Sequence, residues 1–252
     1  MEFVITYDCT GKCKHCSNGE RPCTGIHLEK TAADVLYNLK KEYNISSVMT
    51  FGGEPLLYPD TVCAIHSAAT QLGIEKRQLI TNGFFSKDAD AIKHVSEKLA
   101  DCGINDILLS VDAFHQETIP VDVVKMFAFE IKKRGLNIRT SPAWLVSAED
   151  INPYNVRTAA LVEELKKMDI EEAAGNIIFP AGNALRYLKE YFDFTKEYIN
   201  PYEENPRDIR TISIEPDGSL FGESIFENDI VDILDRYIIK GDVKKVQTAK
   251  RR

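Results

Sequence analysis

Three cysteines stand within eight residues near the start of the chain, in the run Cys9-Thr-Gly-Lys-Cys13-Lys-His-Cys16. The spacing is C-x3-C-x2-C, and thiolates are soft ligands suited to zinc or to iron–sulfur centres. A structural zinc site takes four ligands, and His15 or Cys23 can be offered as the fourth. His15, however, sits beside Cys16, where its ring is poorly placed to share that metal. Three thiolates on a 4Fe–4S cube leave one iron open to a substrate or a second cofactor. A second chemical element follows in Thr50-Phe51-Gly52-Gly53-Glu54-Pro55-Leu56. Two glycines at a strand end permit unusual backbone angles and close ligand approach. Their carbonyls can accept hydrogen bonds from an ammonium group, and Glu54 adds a negative charge; a plain tight turn is the alternative.

The elements that must position these groups alternate between the two periodicities. Strand-like runs are expected at 3–7, 47–51, 78–81, 106–111, 136–140 and 176–179, and helix-like runs at 29–43, 86–103, 119–134, 153–168 and 183–198. Another helix starts near Asp60 and ends at Gly73, and Ser86 is the expected cap of the 86–103 helix. The run 106–111 is almost continuously apolar, which suits a parallel strand buried on both faces. Six β/α units in series imply a parallel sheet with right-handed crossovers; periodicity alone leaves an open doubly wound sheet and an incomplete barrel both standing. After about residue 200 the pattern changes to a loop, an expected β-hairpin (212–215 with 219–221 around Pro216-Asp217-Gly218) and a last helix over 230–239. The expected domains are therefore 1–199, and an extension over 200–252 that ends in a basic tail.

Polar or glycine-rich residues gather at the C-terminal ends of the expected strands, which is the active-site rim of α/β barrels and open α/β sheets. Asn82 ends the third strand. Ser110 and Asp112 end the fourth with the same parity, so both should face one side; Asp112 can instead cap the following helix. His115 is a candidate proton donor or substrate contact, or else a hydrogen-bonded structural histidine. Arg139, in the fifth strand, needs a carboxylate partner, either a cofactor carboxylate or Asp112.

The cysteine spacing resembles the signature of the radical S-adenosylmethionine superfamily, with His15 where an aromatic residue usually stands. The Gly-Gly-Glu turn resembles that family's motif residue for residue. The resemblance covers about residues 1–185 and implies an incomplete (β/α)6 parallel barrel with a short C-terminal hairpin-plus-helix extension. It implies one 4Fe–4S cluster on Cys9, Cys13 and Cys16, and S-adenosylmethionine held by Gly52, Gly53, Glu54, Pro55, Asn82, Ser110 and Arg139. Phe179-Pro180-Ala181-Gly182-Asn183 resembles the segment that passes backbone groups to the adenine. Asp112 and His115 remain the catalytic candidates. The implied chemistry is reductive cleavage to a 5′-deoxyadenosyl radical that abstracts a substrate hydrogen, fed by a low-potential donor of the flavodoxin or ferredoxin kind.

Residues 215–220 resemble the start of the cysteine-rich extension of peptide-modifying members, but no cysteine follows Cys102. A peptide or protein side chain is therefore the first expected substrate, and a nucleotide or other small metabolite the second. A non-catalytic iron–sulfur or zinc protein is the reading of another class. The bulk properties agree with an enzyme of cytoplasmic location acting as a monomer. The 252 residues carry 31 basic and 39 acidic groups, a net charge of −8, which argues against general nucleic-acid binding. No apolar run approaches the roughly 20 residues a bilayer demands. Cys23, in the loop beyond the cluster motif, is a candidate hydrogen donor to the product radical.

Overall fold

The computed structural model describes residues 1–19, 28, 31–201, 203, 205, 207 and 209–238. Cys23 and the basic tail, with Lys240, Lys244, Lys245, Lys250, Arg251 and Arg252, lie outside the described residues. Five β/α units open the chain: β1 (Glu2–Val4), α1 (Ala32–Glu42), β2 (Ser47–Phe51), α2 (Pro59–Gln71), β3 (Lys76–Thr81), α3 (Ala89–Asp101), β4 (Asp106–Leu109), α4 (Val121–Lys133), β5 (Ile138–Thr140) with its continuation β6 (Ala143–Trp144), and α5 (Pro153–Lys166). Then come β7 (Glu171–Glu172), β8 (Asn176–Ile177), α6 (Gly182–Tyr187), β9 (Ser213–Ile214), β10 (Ser219–Leu220), β11 (Glu223–Ser224) and α7 (Ile230–Tyr237).

Seven strands form one all-parallel sheet in the order β7-β5-β4-β3-β2-β1-β9. The sheet does not close, so this is a partial barrel. Strand alternation divides its two faces. Phe3, Ile5, Val48, Leu79, Ile107, Leu109 and Ile138 point outward into the main core, which the apolar stripes of the helices cover. Val35, Leu36 and Leu39 of α1, Val62 and Ile65 of α2, Ile92 and Leu99 of α3 and Phe127 and Ile131 of α4 supply those stripes at helical spacing. The opposite parity, with Gln78, Asp106 and Arg139, faces the barrel interior.

Several expected details shift. The sixth strand of the sheet is β7, whose exposed Glu171-Glu172 has no apolar signature; Asn176–Ile177 instead pairs with β6 in a separate two-stranded ladder. β5 ends two residues before Pro142, which has no N–H to donate, and the Asn176 N–H goes to Pro142 O at 2.9 Å. Asp88, rather than Ser86, caps α3 by accepting the Asp90 N–H at 2.9 Å. The expected helix over 183–198 stops at Tyr187, apart from a 3₁₀ turn at Lys189–Tyr191. Beyond it, Phe192, Phe194 and Tyr198 pack on one another and fold the segment back on a second core beneath Phe114 and Leu145.

The C-terminal hairpin is rearranged. The turn at Pro216-Asp217-Gly218 forms, but Ser213–Ile214 joins the main sheet parallel to β1, and the antiparallel pair is β10 with β11. Ile214, Leu220, Ile225, Ile230, Ile233 and Leu234 enter the main core. No helix among the described residues is long and apolar enough to cross a membrane.

Candidate active site

The loop after β1 carries the three cysteines. The sulfurs of Cys9 and Cys13 converge on Gly11, where an added Cβ would lie 3.7 and 3.2 Å from them. Cys9 is exposed, Cys13 buried and Cys16 between, and all three are free thiols. Burial pushes the Cys9 thiol up to about 11 and raises Cys13 as well; the mutual repulsion of the cysteines adds to both. Each thiol thus needs a cation to hold it as thiolate. That donor set, three free thiols in one loop with the Cys9 and Cys13 sulfurs over Gly11, fits a 4Fe–4S cluster.

The loop is held from two sides. Asn82, at the end of β3, directs Nδ2 to Thr10 Oγ1 at 3.2 Å and to Cys9 Sγ at 3.7 Å. From across the barrel, Asn183 donates its backbone N–H to Cys16 O at 2.9 Å and its Nδ2 to Cys13 O at 3.2 Å. Gly182 has φ +50°, and a Cβ there would come within 2.3 Å of Ser17 O. The 179–183 segment, expected beside an adenine, therefore also clamps the cysteine loop. No spacing in the chain points to that role.

The Gly-Gly-Glu turn is built into the frame. Gly53 N–H donates to Thr6 O and Glu54 N–H to Asp8 O, both at 2.7 Å. A Cβ on Gly53 would stand 2.1 Å from Asp8 O, so this crossing of the β1 and β2 loops admits glycine alone. The Glu54 carboxylate is fully buried. It accepts from Leu56 N–H at 2.9 Å, Thr81 Oγ1 at 2.7 Å and Asn82 N–H at 2.8 Å. Burial raises its pKa to about 7 against those hydrogen bonds. Pro55 opens the 3₁₀ turn Pro55–Leu57 that carries the chain away.

Asp112 and His115 meet. Asp112 Oδ1 accepts the N–H groups of Phe114 (3.0 Å) and His115 (2.9 Å), and Oδ2 accepts Ala143 N–H (3.1 Å) and faces His115 Nδ1 at 2.7 Å. Asp112 is thus both a cap of the turn after β4 and the partner of His115. Burial would raise its pKa, but the charges of His115 and His15 and the hydrogen bonds from His115 hold it well below the carboxylate range. The same pairing, with Glu54 beyond, raises His115 despite burial. His15 packs on Phe114 and His115 with ring centroids 5.0 and 4.8 Å away, and burial lowers its pKa to about 4.

Two other expectations divide. Ser110 is half-buried on the interior parity, its N–H given to Thr81 O at 2.8 Å. Arg139 does not pair with Asp112; it makes a two-pronged contact with Asp106, Nη2 to Oδ2 at 2.7 Å and Nε to Oδ1 at 3.2 Å. Asp106 begins β4, at the end of the barrel away from the rim. A residue not singled out from the sequence is Tyr7, whose hydroxyl donates to Glu215 at the end of β9. A cleft of about 390 Å³ opens beside β8, lined by Ile177, Phe179, Tyr191, Phe192 and Tyr198 with Asp193 and Lys196. Stacked Phe114 and Tyr154, then Tyr191, connect it to His15.

Comparison with known proteins agrees with this arrangement. Residues 3–140, more than half of the chain, match the family model described as Radical SAM superfamily. A probable GTP 3',8-cyclase of Saccharolobus islandicus is 25% identical over 278 residues, covering 96% of this chain and 87% of the relative. Its namesake from Saccharolobus solfataricus is 24% identical over 280 residues, with the same coverage. The crystal structure of Streptococcus suis SuiB bound to S-adenosylmethionine superposes with a TM-score of 0.56 at 16% identity, over 98% of this chain and 67% of that one, which shows a common fold. With the family model spanning the cysteine loop, the Gly-Gly-Glu turn and the first five strands, the chain belongs to the radical SAM superfamily and is an enzyme that uses S-adenosylmethionine and a 4Fe–4S cluster.

Proposed function

We propose that Cys9, Cys13 and Cys16 ligate the cluster and that S-adenosylmethionine lies on the rim between the Gly52-Gly53-Glu54 turn, Asn82 and Ser110. The observation that carries this is the convergence of the Cys9 and Cys13 sulfurs over Gly11, with Asn82 against Cys9 and the Gly-Gly-Glu turn locked to the same loop. Bound there, the two groups would supply reductive radical chemistry for abstraction of a substrate hydrogen. The protein orients them and excludes water. A flavodoxin- or ferredoxin-class protein supplies the low-potential electron. Residues 1–199 act as the catalytic unit and residues 200–252 as an extension that lends β9 to its sheet.

For the substrate, the nucleotide reading now leads. It is supported by relatives named probable GTP 3',8-cyclase that align over nearly the whole chain. A peptide side chain is the second reading, favoured by the apolar, aromatic lining of the cleft beside β8, where the one lysine, Lys196, is paired with Asp193 at 3.4 Å.

The test is anaerobic reconstitution with iron and sulfide, followed by dithionite and S-adenosylmethionine. 5′-Deoxyadenosine should form, and should vanish in the Cys9/Cys13/Cys16 triple-alanine variant. Product that persists in that variant would refute the ligand assignment. Adding purine nucleoside triphosphates or aromatic peptides in turn, the productive class should raise turnover and appear mass-shifted.

A further inference from the structure

Among the described residues, one group of ligating side chains adds two histidines, which the cluster assignment leaves out, to one of the cluster cysteines. Cys13, His15 and His115 each turn a ligand atom toward a common point, and the three atoms lie within 4.8 Å of one another. Cys13 and His15 come from the loop after β1, and His115 from the loop after β4. His115 is fixed by Nδ1 against Asp112 Oδ2 at 2.7 Å, so Nε2 is its free nitrogen. A carboxylate behind an imidazole is the arrangement that sets tautomer and orientation in metal-bound histidines. His15 supplies an independent sign: its Nδ1 is buried without a hydrogen-bond partner, in a ring held by Phe114 and His115. Buried ring nitrogens are normally satisfied.

We infer that, in the chain without its iron–sulfur cluster, Cys13, His15 and His115 bind a divalent ion of the zinc class, with Asp112 supporting His115 and water in the fourth position. Two imidazoles and one thiolate suit zinc and disfavour magnesium and calcium. In a tetrahedral zinc site, bond lengths of about 2.3 Å to sulfur and 2.0–2.1 Å to nitrogen put ligand atoms roughly 3.3–3.6 Å apart. The three side chains therefore need to close by about 1.2–1.5 Å from their present 4.8 Å limit. Binding releases the Cys13 thiol proton and, wherever His115 is charged, the proton on its Nε2 as well. Cys13 cannot serve this ion and the cluster together, so zinc and cluster exclude one another. That last step rests on the cysteine ligation proposed above; the zinc site itself does not.

The experiment uses the full chain, stripped with a chelator and loaded with one equivalent of zinc. X-ray absorption at the zinc edge should give one sulfur and two imidazole nitrogens; a shell of three sulfurs would overturn the proposal, with no variant needed. His15→Gln and His115→Gln should each weaken zinc binding at least tenfold, while a Cys9→Ser/Cys16→Ser double variant keeps it. The reverse pattern would also overturn it. The zinc-loaded chain should take up iron and sulfide far more slowly than the stripped chain, and equal uptake would overturn the exclusion. A stripped chain that takes up no cluster would sink the ligand assignment and leave the zinc result standing.

Discussion

The carboxylate of Glu54 accepts the backbone N–H of Asn82 at 2.8 Å, so the end of β2 is fastened to the end of β3. The same carboxylate holds Thr81 and Leu56. A residue that the motif alone would assign to cofactor binding is therefore also a structural bolt under the site. Three accepted hydrogen bonds leave it lone-pair capacity for an incoming ammonium group.

That bolt predicts a pH dependence. Burial raises the folded pKa of Glu54 to about 7 from 4.5. Between those values the unfolded chain has lost the proton that the folded chain keeps. Stability from this group is thus full below pH 4.5 and falls as pH rises through 7. Glu54→Gln should flatten this slope while costing about 1–3 kcal/mol throughout, because its amide turns a donor toward one of the three donors. Denaturant titrations of both cluster-free proteins from pH 4.5 to 8, taken as a difference, measure it. A difference that does not change with pH would show that Glu54 titrates normally.

Asp112 and His115 carry opposite signs. The lowered Asp112 contributes stability above pH 3.8 that is lost as pH falls through its folded value. The raised His115 contributes stability below pH 6.5 that is lost as pH climbs through its own. Asp112→Asn should cost about 3 kcal/mol near pH 6, since it removes one partner of a buried pair. It should also drop the His115 pKa below the ordinary histidine value. NMR titration of the His115 ring protons reads this; an unchanged ring pKa would mean that the 2.7 Å contact does not persist in solution.

Gly182→Ala tests the clamp on the cysteine loop. Its Cβ would meet Ser17 O at 2.3 Å and Cys16 O at 2.7 Å, at a φ of +50°. The helix start must back away, and the hydrogen bonds from Asn183 to Cys13 and Cys16 should go with it. Iron per chain after reconstitution should fall severalfold. Gly135→Ala is the control: φ is +73° but nothing lies within 4 Å of the added Cβ. It should cost only about 1 kcal/mol and leave iron content alone; equal iron loss in both would point to general instability.

Much of this was legible in the sequence because the signals were local. The strand 106–111 announces itself by its nearly continuous apolar run, the stripe Val35, Leu36, Leu39 by its period, and Gly52-Gly53 by its need for close backbone approach. What could not be read was set by distant partners. Glu171-Glu172 is a strand only because β5 offers it an edge, and Ser213–Ile214 because β1 does. Gly182 clamps residues about 165 positions earlier, and no spacing rule connects them. The sequence offers His15 as a fourth metal ligand or as a stand-in for an aromatic residue; its contacts with Phe114 and His115, which the β4 loop delivers, no spacing shows.

Arg139 is the sharpest case, and it yields the last prediction. A polar residue in the fifth strand calls for a carboxylate partner, and the sequence leaves a cofactor carboxylate and Asp112 both standing. The structure gives it Asp106, which also accepts from Gln78 Nε2 at 2.6 Å and Asn137 Nδ2 at 2.9 Å. Asp106 is nearly enclosed, with a tenth of its side chain exposed, and Arg139 is a third exposed. Solvent therefore weakens the pair, and Arg139→Gln should cost only about 1–2 kcal/mol. Asp106→Asn should cost a similar amount, and the double variant less than the sum, since the two share one interaction. Affinity for S-adenosylmethionine, measured by equilibrium dialysis on the reconstituted protein, should change less than twofold in Arg139→Gln. A tenfold loss of affinity with unchanged stability would mean that the guanidinium leaves Asp106 for the cofactor when the cofactor binds.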